Sequence, residues 1–172
     1  MLKGYLYRTP VVVKSNPSTP SVILHSGGTT GNPKGILLSD YNFNALVIQT
    51  GTIFKKLTPG DSLLNILPNF HGFGLGVSMH FPLSIGLKLV LIPQFNAKKL
   101  DELIVRYKPA VLTGVPTLYE AMMTNAGMRH VDLSCLKYVV SGGDSLSVAM
   151  ADRLNKFLVE HGANVKVLQG YG

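Results

Sequence analysis

Apolar residues are distributed along this chain in two rhythms that alternate. Short continuous runs read as strands: Val22–His25, Ile36–Leu38, Ser62–Leu67, Leu87–Ile92, Ala110–Thr113, Lys137–Val140 and Val165–Leu168. Between most of them the apolar positions return every third or fourth residue, the period of one helical face. Phe43, Leu46, Val47, Thr50, Ile53, Phe54 and Leu57 form one such stripe, which Ser39 or Asp40 can cap and which Pro59-Gly60 should end. Asn96 caps a second, with Leu100, Leu103, Ile104 and Tyr107 inward and Pro109 stopping it. Pro116 suits the first turn of a third, which runs to about Ala126. Ser147 caps a fourth, with Met150, Ala151, Leu154, Phe157 and Leu158 inward and Gly162 at its end.

That alternation predicts an α/β fold, a parallel sheet with βαβ crossovers. A β-hairpin joined by a glycine-rich loop precedes it. Residues 1–20, with three prolines and three Ser/Thr between Pro10 and Pro20, read as a leader or linker, and 21–172 as the folded part. Open parallel sheets bind ligands beyond the carboxyl ends of their strands. Four turns on that edge carry glycine: Pro68-Asn69-Phe70-His71-Gly72, Gly114-Val115-Pro116, Ser141-Gly142-Gly143 and Gln169-Gly170-Tyr171-Gly172. The chain pattern alone therefore places a ligand crevice there.

Composition narrows the class. Of the 172 residues 46% are hydrophobic and 15% charged, which fits a globular domain with a real core. The net charge of +7 comes from 16 basic and 9 acidic residues, scattered, with no basic run beyond Lys55-Lys56 or Lys98-Lys99. Without clustering or tryptophan this is no nucleic-acid patch; it is solvated surface with some attraction for anions such as ATP. Cys135 is the single cysteine, so there is no intrachain disulfide and no zinc spacing, which fits a cytoplasmic protein. The apolar stretch from Phe73 to Ile92 is broken by His80, Pro82 and Lys88. It reads as a buried helix and a buried strand rather than a membrane span.

The richest chemistry lies in Ser26-Gly27-Gly28-Thr29-Thr30-Gly31-Asn32-Pro33-Lys34-Gly35. Glycines let successive N–H groups line a concavity for an anion, the hydroxyls add donors, and Lys34 adds a point charge. This suits a polyphosphate. It is not a Walker loop, whose lysine opens a helix, because Lys34 stands between Pro33 and Gly35 ahead of an apolar run. A plain surface turn has similar composition; the Pro-Lys-Gly ending favours the phosphate reading.

This run, with His25 before it, resembles the signature loop of the AMP-forming adenylating enzymes: acyl-CoA synthetases, luciferases and peptide-synthetase adenylation domains. Leu67-Pro68-Asn69-Phe70-His71-Gly72-Phe73-Gly74 resembles the family's second motif. Ser141-Gly142-Gly143-Asp144-Ser145-Leu146-Ser147 resembles the Gly-Gly turn beside the acyl pocket, and Gln169-Gly170-Tyr171-Gly172 the start of the adenine motif. The matches fall in family order across residues 25–172. The last leans towards the fatty acyl-CoA synthetases.

The resemblance implies roles. Lys34 and the loop Ser26–Gly31 would close over the β- and γ-phosphates of ATP and stabilise charge on departing pyrophosphate. His71 would stand at the mouth of the carboxylate pocket; the plainer reading is a helix-start histidine bonded to backbone. Gly142 and Gly143 would admit adenine and acid close to the backbone, though a tight strand-to-helix turn needs them equally. Gly170, Tyr171 and Gly172 would line the adenine pocket, with Tyr171 stacking on the base or simply packing. The chain departs from the pattern at His25, where an aromatic or threonine is frequent, and at Asp144 and Ser145, where small apolar residues are frequent. The family's Thr-Glu that helps hold Mg²⁺, its ribose aspartate and its C-terminal domain with the catalytic lysine are not in this sequence. The expectation is thus a partial N-terminal adenylating domain of an acid–thiol ligase acting on a carboxylic acid, ATP and coenzyme A. It should be inactive alone, with no metal ligands of its own, and able to self-associate through faces other parts would cover. The alternative is a non-catalytic nucleotide-binding or oligomerising α/β module.

Overall fold

The computed structural model describes residues 16–25 and 34–170. The chain divides into two compact units, Met1–Asn42 and Phe43–Gly172. In the first, β1 (Pro20–His25) and β2 (Gly35–Ser39) pair antiparallel, with His25 opposite Gly35 where the ladder ends. This is the expected hairpin; its connection, residues 26–33, lies outside the described residues.

Ser39 starts the next helix, Asp40–Gly51. Its N–H and hydroxyl both donate to Asn42 Oδ1 at 3.0 Å, and the Asn42 N–H donates back to Ser39 Oγ at 3.4 Å. That reciprocal pairing satisfies groups a helix start leaves open. The helix ends at Gly51, well before Pro59-Gly60. Glycine weakens a helix interior, and the Thr52 hydroxyl donates to the Gln49 carbonyl at 2.7 Å. Beyond it the Tyr138 hydroxyl accepts the Lys56 N–H at 3.0 Å and donates to the Ile53 carbonyl at 3.3 Å. A distant side chain thus takes over backbone groups that a longer helix would have used.

The second unit is built on a five-stranded sheet. Its strands are β3 (Ser62–Asn65), β4 (Lys88–Leu91), β5 (Val111–Gly114), β6 (Tyr138–Ser141) and β7 (Val167–Gln169). They lie in the order β4-β3-β5-β6-β7, and each neighbouring pair is parallel. The predicted βαβ alternation is therefore observed. Leu64, Leu112 and Val139 share one face, because they stand side by side in register. Leu100, Ile104, Met122, Leu154 and Leu158 cover it from the helices Leu100–Tyr107, Pro116–Thr124 and Val148–Glu160. Burying each such leucine contributes about 2 kcal/mol. The caps are the expected ones: Asn96 Oδ1 accepts from the Lys98 N–H at 3.0 Å, and Ser147 Oγ from the Met150 N–H at 3.2 Å. Lys108, at φ 42°, turns the chain out of its helix before Pro109.

The opposite face holds Leu63 and Val111 in one patch and Phe54, Phe81 and Val140 in another. Here Phe73–His80 forms a π-helix that runs directly into the α-helix Phe81–Ser84. Sequence periodicity predicts only a buried helix in this stretch. The wider turn goes with close contacts along the segment. A Cβ on Gly74 would strike the Pro68 carbonyl, and one on Gly76 would stand 2.7 Å from Leu46 Cδ2. The fully buried Ser78 and Thr113 hydroxyls, 2.9 Å apart, tie the π-helix to β5. β4 differs from expectation. It is an edge strand, exposed at Lys88 and Leu91, because β3 covers one side only. Among the described residues no helix is long and apolar enough to cross a membrane.

Candidate functional site

The carboxyl ends of β6 and β7 meet the start of the π-helix around a cavity of about 410 Å³. Its walls include His71, Gly142, Gly143 and Gly170, so the structure brings together four residues that the sequence marks from three separate turns. The parallel register explains the meeting. Val140 stands opposite Leu168 and Ser141 opposite Gln169, so the two turns leave the sheet side by side. The Gly170 N–H donates to the Ser141 carbonyl at 2.7 Å and the Gly142 N–H to the Gly114 carbonyl at 3.0 Å. Both amides are spent on holding the turns together. What the glycines offer a ligand is therefore close approach to the backbone.

Gly142 is buried, and a Cβ there would stand 3.1 Å from the Phe73 ring and 3.4 Å from the Gly170 carbonyl. Both of those residues are themselves walls of the cavity. Gly143 has φ +76°, a conformation that costs a side-chain-bearing residue. Beneath the turn the buried Tyr119 hydroxyl donates to the Val140 carbonyl at 2.6 Å. Burial pushes that phenol far above its ordinary pKa, so it stays a neutral clamp on the end of β6.

His71 is exposed at the cavity wall, and its Nδ1 accepts the Phe73 N–H at 3.2 Å. Both readings of this histidine meet here, since it is bonded to backbone and lines the cavity. With Nδ1 accepting, the neutral ring carries its proton on Nε2, a donor for an anionic ligand. The rest of the wall is mostly apolar, with Thr50 and Gln169 as its polar members. Leu46, Thr50, Ile53 and Phe54 come from the Asp40–Gly51 helix and the turn after it. Sequence reading assigned these to the core stripe; their spacing marked the right face but not that the face opens on a cavity.

Lys34 is exposed at the foot of β2, next to Gly35. Ser26, Gly27, Gly28, Thr29, Thr30 and Gly31 lie outside the described residues, as do Tyr171 and Gly172. Among the described residues no group of three or more His, Cys, Asp or Glu side chains could hold a metal ion.

Known proteins match this architecture. A long-chain-fatty-acid–CoA ligase of Bacillus subtilis (strain 168) is 31% identical over 153 residues, covering 88% of this chain and 26% of that protein. The solved long-chain-fatty-acid–CoA ligase of Archaeoglobus fulgidus superposes with a TM-score of 0.80 at 27% identity, over 93% of this chain and 33% of that one. ATP-bound MatB from Rhodopseudomonas palustris gives 0.77 at 25% identity, over 95% and 31%. The chain spans about a quarter of the length of the curated relatives it matches. The model of the family described as "AMP-binding enzyme" matches residues 3–172, through hairpin and sheet alike, and the chain belongs to that family.

Proposed function

We propose that these residues serve an ATP-dependent, AMP-forming acid–thiol ligase. A carboxylate oxygen of the substrate attacks the α-phosphorus of ATP. The bond to the β-phosphate's bridging oxygen breaks, and pyrophosphate leaves. A thiol sulfur, that of coenzyme A in this reading, then attacks the acyl carbonyl carbon; AMP departs with the C–O bond pair, and the thiol proton passes to solvent. The carboxylate is nucleophilic at neutral pH, so the chain's contribution is to position and to stabilise charge.

The observation that carries this reading is the single cavity walled by His71, Gly142, Gly143 and Gly170 at the carboxyl rim of a parallel sheet. Gly142, Gly143 and Gly170 admit the flat adenine against backbone, and Tyr171 and Gly172 are assigned to the same base from the sequence motif. The His71 Nε2–H faces the carboxylate or the acyl phosphate. Ser26–Gly31 and Lys34 hold the β- and γ-phosphates, which develop charge as pyrophosphate leaves. The relatives are named as fatty-acid and coumarate CoA ligases, which supports an apolar acid and a coenzyme A acceptor. Because the chain matches about a quarter of their length, it is expected to bind nucleotide weakly by itself and to turn over no acid.

Calorimetry with two ligands tests this. ATP and a non-hydrolysable acyl-adenylate analogue should both bind the chain. Lys34→Ala should weaken ATP about tenfold, the scale of one charge-assisted contact. It should leave the analogue, which has no β- or γ-phosphate, unchanged. Binding of neither ligand, or equal loss of both, would refute the assignment.

A further inference from the structure

We propose a second small-molecule site behind the loop that carries His71. It would take a compact, flat, apolar ligand bearing one N–H or O–H donor. A cavity of about 400 Å³ opens beyond the carboxyl ends of β3 and β4. It is separate from the glycine-walled cavity and shares no lining residue with it. Phe70, Phe95 and Pro93 line it, an aromatic and proline surface suited to a ring. Leu91 and Phe70, exposed by 51% and 81%, are large apolar groups left in water at its edge.

The polar mark is Asn65, which lines this cavity and is only 2% exposed. Its Nδ2 donates to Asn69 Oδ1 at 2.9 Å, which fixes the amide, while its Oδ1 has no hydrogen-bond partner. A buried carbonyl oxygen without a donor is costly, and a native site leaves one where a ligand or water completes it. The apolar surroundings set the size and shape of the occupant, and Asn65 sets its chemistry. Asn69, which fixes that amide, is exposed and lines the same cavity from the loop.

Phenol and anisole are the probes, because they share a ring and differ in the donor. Titrated into the ¹⁵N-labelled chain, phenol should shift the amides of Ile66, Asn69, Phe70, Ile92 and Phe95 and saturate. Anisole should bind at the same place about fivefold more weakly, the loss expected for one neutral hydrogen bond. Asn65→Ala should bring the two affinities together. If that variant does not fold, the contrast in the unaltered chain decides alone. Equal affinities, no saturable shifts at these amides, or a bound water on Asn65 Oδ1 that phenol does not displace would overturn the proposal. The outcome is independent of ATP binding, so it stands or falls apart from the ligase reading.

Discussion

The two rims of the sheet are built from the same strands and treat their polar groups in opposite ways. At the amino rim Lys137 Nζ reaches both oxygens of Asp61, at 2.9 and 2.7 Å, across from β6 to the start of β3. Asp61 also accepts the Thr58 N–H at 2.8 Å and the Thr58 hydroxyl at 3.1 Å. Its carbonyl accepts the Lys88 N–H, the Ser62 carbonyl the Ala110 N–H, and the Ala110 carbonyl the Lys137 N–H, each at 2.8 Å. At the carboxyl rim four turns carry glycine, and among the described residues the two buried side-chain oxygens with no partner, Asn65 Oδ1 and Ser141 Oγ, both stand there. One rim satisfies its groups internally and fixes the strands. The other keeps surface and acceptors for something else to meet. Substitutions at the two rims should therefore separate stability from binding.

The sharpest test is Gly142→Val at the carboxyl rim. Its side chain would press on the Phe73 ring, 3.1 Å from a Cβ there, and approach the Gly170 carbonyl, both of them walls of the cavity. Binding of the acyl-adenylate analogue should fall about a hundredfold, close to 3 kcal/mol, while the melting temperature moves by a few degrees at most. A stability loss with binding intact would erase the distinction between the rims. Next comes Thr113→Val, which strands the buried Ser78 hydroxyl under the π-helix. It should cost about 2 kcal/mol by urea denaturation, and adding Ser78→Ala should recover most of that, because removing both partners leaves nothing unsatisfied.

The contrast between rims also explains what could be read from the sequence. A parallel sheet with crossovers follows from alternation, and Asn96 and Ser147 cap where their side chains imply, because capping is a local matter. The glycines of three turns pointed to the edge where the cavity lies. The π-helix was not legible, since its geometry depends on Gly74 meeting the Pro68 carbonyl and Gly76 meeting Leu46, contacts made only when the loop and helix fold together. The early end of the Asp40–Gly51 helix was hidden because Tyr138, 85 residues beyond Ile53, takes the backbone groups. Lys137 and Asp61 read as two surface charges among many; nothing local pairs residues 76 apart.

That ion pair gives a smaller effect and one with a pH signature. Burial by itself would raise the Asp61 pKa, but hydrogen bonds from Lys137 and Thr58 outweigh it, and the carboxyl is held below its ordinary value. A lowered folded-state pKa contributes stability above the unfolded value, about 3.9, and loses it as pH falls through the folded value. Asp61→Asn should thus cost about 1 kcal/mol at pH 7, a partly exposed pair lying at the upper end of the surface range. The gap between variant and wild type should narrow below about pH 4. A gap that is constant from pH 7 to pH 3 would mean that charge plays no part at this rim. Binding of the analogue should not change.

Tyr138 is the residue best placed to break the separation. It begins β6 at the amino rim, yet its hydroxyl holds Ile53 and Lys56, and its ring meets Phe54 edge-on at 4.7 Å. Ile53 and Phe54 are walls of the glycine-lined cavity. Tyr138→Phe keeps the ring contact and removes only the hydroxyl. The freed Lys56 N–H and Ile53 carbonyl sit in exposed stretches that water can reach, so the stability cost should be small, about 0.5 kcal/mol. If the wall depends on that anchor, analogue binding should weaken two- to threefold, roughly 0.5 kcal/mol, in step with stability. Unchanged binding would show that the ring alone sets the wall, and that a side chain reaching from the amino rim to the cavity wall transmits nothing between them.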